Sequence, residues 1–89
     1  MQGKRIQVFG KVQGVFFRAT TKTKADDLKL KGWVRNESDG SVMIEVEGSV
    51  DGIGTFITWC HDGPTFARVD KVTEEDISVR DYSDFEIRY

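Results

Sequence analysis

Apolar and polar residues alternate in three stretches of the chain, and each stretch predicts a β-strand. The alternation covers residues 4–12 and 42–47, and it returns at the end of the chain with Phe85, Ile87 and Tyr89. A repeat of two residues sends successive side chains to opposite faces of a sheet. Each stretch is therefore expected to bury one face and to leave the other face to solvent.

Two further strands are predicted from shorter signals. Residues 33–36 are predicted to form a short strand. Asp39-Gly40 supplies a turn between it and the strand at 42–47, so the two strands are expected to form a hairpin. Residues 67–75 are less regular and are predicted to form a bulged strand.

Two stretches repeat at helical spacing. The first has Phe17, Thr21, Ala25 and Leu28 on one stripe, and Gly32 is expected to end that helix. The second begins after Ser49, a good amino-terminal cap, and is stopped by Gly63-Pro64. Its apolar stripe consists of Val50, Ile53, Phe56, Ile57 and Cys60.

The order of these elements is strand, helix, strand, strand, helix, strand, with one strand more at the end. It predicts an α+β fold, a ferredoxin-like split β-α-β sandwich with two helices on one face of a five-stranded, mainly antiparallel sheet. In this plan the first two strands run parallel with another strand between them, so their carboxyl ends emerge at one edge of the sheet, roughly 10 Å apart. Arg18 follows the first of these ends, and Asn36 lies at the second.

The composition limits the function classes. Eighty-nine residues, 38% hydrophobic and 31% charged, suit one globular domain that spans residues 1–89. No stretch approaches the ~20 apolar residues of a membrane span. The amino terminus lacks the apolar stretch of a signal peptide, so a cytoplasmic protein without a membrane partner is expected. One cysteine, Cys60, and one histidine, His61, offer no metal cluster; we expect no metal, no cofactor and a monomer, with Cys60 a buried hydrophobe.

The net charge of −2 hides an asymmetry between the two parts of the chain. Residues 1–36 carry nine basic and two acidic side chains, a net charge of +7, whereas residues 37–89 carry four basic and thirteen acidic ones, a net charge of −9. The positive part favours the approach of a small anionic substrate. The acidic chain as a whole argues against a nucleic-acid partner.

The segment from Gly10 to Arg18 carries the strongest functional signal. It joins a strand to a helix, it holds two glycines and no proline, and it places Arg18 where the helix begins. Such a loop can direct its N–H groups at an anion, with the positive end of the helix behind it. A cation in the first helical turn is unfavourable by about 0.3–1 kcal/mol, and a broken local rule is typical of a functional site.

The chain resembles the acylphosphatase family in two long signatures that are both correctly spaced. The first is Val8-Phe9-Gly10-Lys11-Val12-Gln13-Gly14-Val15-Phe16-Phe17-Arg18; the second is Gly32-Trp33-Val34-Arg35-Asn36-Glu37-Ser38-Asp39-Gly40-Ser41-Val42, closing at Gly48. The resemblance implies hydrolysis of a small-molecule acyl phosphate to a carboxylate and inorganic phosphate. It implies that Arg18 binds phosphate and Asn36 orients the attacking water. It further implies that phosphate is bound by the main chain of Gln13, Gly14, Val15, Phe16, Phe17 and Arg18.

Two alternatives stay open from the residues. The same fold could serve as a catalytically weak anion-binding or regulatory module, because a fold does not fix an activity. An RNA-recognition module of similar topology needs exposed aromatic residues on a basic sheet. Against it, Glu45 and Glu47 are expected on a solvated sheet face, and four aromatic side chains are expected in or near the core. Those side chains are Phe16, Phe17, Trp33 and Phe56.

Overall fold

The computed structural model describes all residues of the chain, 1–89. Its elements follow the predicted order: β1 (Gln2–Lys11), α1 (Phe17–Asp27), β2 (Lys31–Asn36), β3 (Val42–Gly48), α2 (Val50–Asp62), β4 (Arg68–Ile77) and β5 (Phe85–Arg88). Neither helix combines the length and the apolar character that crossing a membrane requires. The predicted α+β class with two helices and five strands is confirmed.

The five strands form one sheet in the order β4-β1-β3-β2-β5. All neighbours are antiparallel except β2 and β5, which are parallel. β3 lies between β1 and β2, so Val42 pairs with Val8 on one side and with Asn36 on the other. The carboxyl ends of β1 and β2 therefore meet at the same edge of the sheet, as the sequence predicts.

The core lies between the helices and the sheet and contains 15 buried hydrophobic residues. Phe17 of α1 and Phe56 of α2 both contact Trp59, at 5.6 and 6.1 Å between ring centres. Burial of each large apolar side chain contributes roughly 1.5–3 kcal/mol. Cys60 has no exposed surface, which confirms its predicted place in the core, and burial raises the pKa of its thiol to about 12.

The polar face of β3 is buried, so the expectation that Glu45 and Glu47 face solvent is wrong. Their exposed fractions are 3% and 4%. The chain between β4 and β5 crosses this face and supplies hydrogen-bond donors: the backbone N–H groups of Arg80 and Tyr82 donate to Glu47, and the Tyr82 hydroxyl donates to Glu45. Alternation within β3 reveals which face is polar, but it does not reveal that a distant segment covers that face.

Gly32 lies inside β2 and does not end α1, which corrects a second expectation. The helix ends at Asp27 with Leu28 as its cap, and Lys29 then takes a left-handed conformation at φ 59°. Gly32 has φ 142°, and a Cβ atom there would lie 1.9 Å from the carbonyl oxygen of Glu45 in β3. The glycine is required by the close approach of two strands.

The predicted bulge lies where β4 pairs with β1. Phe9 pairs with Lys71, but the next residue, Gly10, pairs with Val69, so β4 contains one extra residue. The bulge lies just before the segment that joins β1 to α1, at the same edge of the sheet as Asn36. Bulges bend a strand, and this one shapes the start of that segment.

Ion pairs between strands bring the two oppositely charged parts of the chain together. Lys4 of β1 pairs with Glu74 and Asp76 of β4, and Arg5 pairs with Glu45 and Glu75. The sheet thereby neutralises the charges of Lys4 and Arg5. Arg18 has no such partner.

Candidate active site

The segment between β1 and α1 has an unusual backbone. Gly14 and Phe16 both take left-handed conformations, with φ of 73° and 62°. Phe16 precedes α1 as its cap, yet its side chain makes no capping hydrogen bond, and the first turn contains no acidic residue. The amino terminus of α1 therefore lacks the side-chain acceptors that usually satisfy it.

The N–H groups of this segment have no acceptor within the protein. None of the backbone N–H groups of residues 13–18 donates to a carbonyl or to a side chain. Because proline is absent, each of these six residues has its donor. Successive free N–H groups at a helix amino terminus form a binding site for an anion.

The side chain of Gln13 joins this segment to the β2–β3 hairpin. Its amide nitrogen donates to the carbonyl oxygens of Glu37 and Ser41, at 2.8 and 2.9 Å. Glu37 directly follows Asn36, so the two bonds hold the end of β2 against the loop after β1. Sequence reasoning assigned Gln13 a main-chain role only and missed this contact, because nothing in the local pattern shows which carbonyls the amide reaches.

Arg18 is the second residue of α1 and is half-buried. Its guanidinium carbon lies 4.8 Å from the centre of the Tyr89 ring, and it makes neither an ion pair nor a side-chain hydrogen bond. A guanidinium that stacks on a ring keeps its in-plane donors free. The sequence analysis did not identify Tyr89 as a site residue. The alternation of Phe85, Ile87 and Tyr89 nevertheless places Tyr89 on the same face of the sheet as the buried Phe85.

Asn36 is the last residue of β2 and lies on the same face of the sheet as Val34. Its amide oxygen is buried and accepts no hydrogen bond. The free-energy cost of an unpaired buried acceptor is about 1–3 kcal/mol, so such an atom in a native structure requires an explanation. Val34 pairs with Ile87, and the same register brings Tyr89 beside Asn36.

A cleft of about 270 Å³ collects these features. Its lining residues are Val12, Gly14, Phe16, Phe17, Arg18, Ala19, Asn36, Ile87 and Tyr89. Of the predicted site residues, Gln13 and Val15 are not part of the lining: Gln13 turns to the hairpin, and the Val15 side chain is buried. Their main-chain N–H groups belong to the same unpaired run.

Phe16 corrects a third expectation, because 76% of this residue is exposed and it does not pack in the core. Its neighbours Val15 and Phe17 are both buried, and the left-handed turn between them directs the intervening ring outward. Phe17, Trp33 and Phe56 are buried as predicted.

The cleft contains hydrogen-bond donors and one permanent cation, but no carboxylate or imidazole among its lining side chains. Arginine stays protonated and an amide is not basic, so this lining has no general base. The arrangement can bind a tetrahedral anion and can orient a neutral nucleophile beside it.

Comparison with known proteins agrees with this geometry. The family model described as Acylphosphatase matches residues 4–87. An acylphosphatase from Coxiella burnetii is 47% identical over 83 residues, which cover 93% of this chain and 87% of that protein. One from Anaeromyxobacter dehalogenans is 48% identical over 86 residues, which cover 96% and 92% of the two chains.

A solved structure extends the likeness to the fold. The crystal structure of acylphosphatase from Bacillus subtilis superposes with a TM-score of 0.97, at 37% identity and with 100% of both chains covered. The alternative of a catalytically weak anion-binding module is not favoured by these matches. The chain belongs to the acylphosphatase family, and its activity is the hydrolysis of acyl phosphates.

Proposed function

We propose that the phosphoryl group of an acyl phosphate is bound by the N–H groups of residues 13–18 and by Arg18, and that Asn36 positions the attacking water. The observation that carries this proposal is the run of six unpaired N–H groups beside the same cleft as Arg18 and Asn36. All of these groups belong to one domain, residues 1–89, so the reaction is proposed for a single chain.

Arg18 and the main chain have complementary tasks. The guanidinium donates two parallel hydrogen bonds to phosphoryl oxygens, in the planar geometry that a lysine cannot reproduce. The N–H groups surround the remaining oxygens, and the amino terminus of α1 adds its positive potential. Donors that are already aligned stabilise the charge of the transition state without reorganising.

Asn36 acts on the nucleophile. Its amide holds a water in line with the bond between phosphorus and the acyl oxygen. Because the water is already oriented for attack, the entropic cost of the reaction is lower. The water oxygen bonds to phosphorus as the P–O bond to the acyl group breaks, and the carboxylate leaves with the bonding electrons. The water proton passes to a phosphate oxygen, since neither Arg18 nor Asn36 is a base.

The carboxylate is a good leaving group, so the reaction needs little more than position and charge stabilisation. No metal or cofactor and no covalent intermediate take part in the proposed sequence. The substrate is a small molecule, since a cleft of about 270 Å³ has room for a ligand of that size.

The test is the release of phosphate from benzoyl phosphate in the presence of a chelator. Arg18→Lys keeps the positive charge but loses the two parallel hydrogen bonds of the guanidinium, and Asn36→Ala loses the amide. Each substitution is expected to lower kcat/KM by about 10²- to 10³-fold. Arg68→Lys is the matched control, because Arg68 is exposed, pairs with Asp70 and lies outside the cleft.

Two results oppose the proposal. Wild-type turnover in Arg18→Lys or Asn36→Ala would remove the assigned role of that residue. Binding of inorganic phosphate by the wild-type protein without turnover of benzoyl phosphate would support the anion-binding module instead.

A further inference from the structure

The cleft has more apolar surface than the binding of phosphate uses. Six of its nine lining residues are hydrophobic. Val12 and Phe17 are buried and support the cleft from behind, whereas Phe16, Ile87 and Tyr89 keep accessible surface. A phosphoryl group is bound by hydrogen-bond donors and cations, and these three side chains do not serve it in that way. They are therefore available to contact another part of the ligand.

The exposure of the lining residues distinguishes a buried floor of the cleft, at Asn36, from a solvent-exposed mouth, at Phe16 and Tyr89. The Asn36 amide oxygen is fully buried, whereas Phe16 is 76% and Tyr89 98% exposed. In-line attack puts the leaving group on the side of phosphorus opposite to the water. With the water at Asn36, the acyl group therefore points from the floor towards the two aromatic side chains.

We infer that Phe16, Ile87 and Tyr89 form a binding site for the acyl group, and that this site selects aromatic and other apolar acyl groups over acyl groups that carry a second carboxylate. The inference rests on the proposed function, because it uses the position of the phosphoryl group and of the water. It adds a specificity that phosphoryl binding alone does not have.

The charges of the cleft agree with this selection. Arg18 is its one charged lining residue, and the phosphoryl group occupies that guanidinium. A second carboxylate on the acyl group would face the rings of Phe16 and Tyr89 and would find no second cation among the lining side chains. An apolar acyl group removes the same rings from water.

The backbone of Phe16 gives an independent indication. A left-handed conformation suits glycine or asparagine and is uncommon for a bulky residue. Phe16 adopts it at φ 62° and ψ 21°, and the result is an exposed ring at the mouth of the cleft. Strain of this kind persists where a site benefits from it.

The experiment compares kcat/KM for benzoyl phosphate, acetyl phosphate and succinyl phosphate, whose acyl group carries a second carboxylate. The variant is Phe16→Asn, which tolerates the left-handed backbone but loses the ring. The ratio of benzoyl to acetyl phosphate and the ratio of benzoyl to succinyl phosphate are each expected to fall by about 2- to 10-fold, as for the loss of one aromatic contact. Phe16→Leu, which stays apolar, is expected to lie between Phe16→Asn and the wild type. Phe66→Ala is the matched control, because Phe66 is 73% exposed but lies outside the cleft, and its ratio stays that of the wild type.

Inorganic phosphate separates the acyl site from the phosphoryl site, because it has no acyl group. An unchanged substrate ratio in Phe16→Asn overturns the inference, and so does an inhibition constant for phosphate that rises as much as the KM for benzoyl phosphate. In both cases the loss of activity in Arg18→Lys and Asn36→Ala still supports the proposed function. If those two variants keep wild-type turnover, the proposed function and this inference both fail.

Discussion

The guanidinium carbon of Arg18 lies 4.8 Å from the centre of the Tyr89 ring, and no carboxylate competes for it. Arg18 belongs to α1, whereas Tyr89 directly follows β5, so the contact joins two elements across the cleft. The ring restricts the guanidinium from one face and leaves its in-plane donors open. We therefore expect Tyr89 to position the guanidinium of Arg18 for the proposed phosphate ligand.

Replacement of the ring tests that role. Tyr89→Leu removes the cation–π contact but keeps an apolar side chain, and the inhibition constant for inorganic phosphate is expected to rise about 2- to 5-fold, in line with about 0.5–1 kcal/mol for an exposed contact. Tyr89→Phe keeps the ring and is expected to match the wild type. A phosphate inhibition constant that Tyr89→Leu leaves unchanged would show that the ring does not position Arg18.

Gln13 provides a second prediction, because its side chain links the loop after β1 to the hairpin after β2. Gln13→Ala removes two hydrogen bonds and is expected to lower the free energy of unfolding by about 1–3 kcal/mol. It is also expected to lower kcat more than about 10-fold, because the loop loses its fixed position relative to Asn36. Chemical denaturation and steady-state kinetics measure the two effects.

The control for Gln13 is Thr58→Ala, which removes an exposed hydroxyl that donates to Gly54 within α2, away from the cleft. It is expected to leave kcat unchanged. If Gln13→Ala lowers stability but keeps the wild-type kcat, the link is structural only.

Two glycines give opposite predictions for the same substitution. Gly32→Ala places a methyl group against the Glu45 carbonyl at a left-handed φ and is expected to destabilise the fold by about 3 kcal/mol or more. Gly54 lies in α2, and apart from the backbone of α2 and its chain neighbours a methyl group there would meet no atom within 4 Å. Gly54→Ala is therefore expected to stabilise the fold by about 0.5–1 kcal/mol. Urea denaturation measures both values, and equal effects of the two substitutions would contradict the role of Gly32.

The buried carboxyl group of Glu45 is expected to make the free energy of unfolding depend on pH. Burial alone would raise the pKa of its carboxyl group, but hydrogen bonds from Arg5 and Tyr82 and the charge of Arg80 outweigh burial and lower the pKa below its usual 4.5. A carboxylate with a lowered pKa in the folded state stabilises the protein above its unfolded pKa. That contribution is lost as the pH falls through the folded value.

Glu45→Gln is expected to lower the free energy of unfolding at pH 7 by about 1.5–3 kcal/mol, because hydrogen bonds to a charged group are lost. The difference from the wild type is expected to shrink as the pH falls below that usual value. Glu86→Gln, which disrupts an exposed pair with Arg88, is the control and should change little. A difference for Glu45→Gln that stays constant from pH 7 to pH 3 would contradict the assignment.

Local patterns were sufficient to predict the elements and their order. The alternation in β1 and β3 and the turn at Asp39-Gly40 follow from neighbours in the sequence, and the structure confirms them. It also confirms the stripe of α2, except for Val50, which is 64% exposed. Three expectations were wrong. Glu45 and Glu47 are buried because the chain around Tyr82 covers them. Gly32 is needed because a carbonyl oxygen of β3 leaves no room for a side chain. Phe16 is directed outward by its left-handed backbone.

The candidate site also contains residues that the sequence predicted and residues that it did not predict. Arg18 and Asn36 were predicted from the segments that contain them, together with the family resemblance, and both line one cleft. Tyr89 and the side-chain bonds of Gln13 were not predicted, because they depend on how β5 and the hairpin are placed against the loop. Contacts between elements distant in sequence are what the local pattern does not contain.

A crystal structure with bound phosphate or sulfate would locate the phosphoryl site by observation. We expect the anion in the cleft, within hydrogen-bond distance of the N–H groups of residues 13–18 and of the Arg18 guanidinium, with a water between the anion and the Asn36 amide. An oxyanion that binds elsewhere on the protein, with these N–H groups still unpaired, would contradict it.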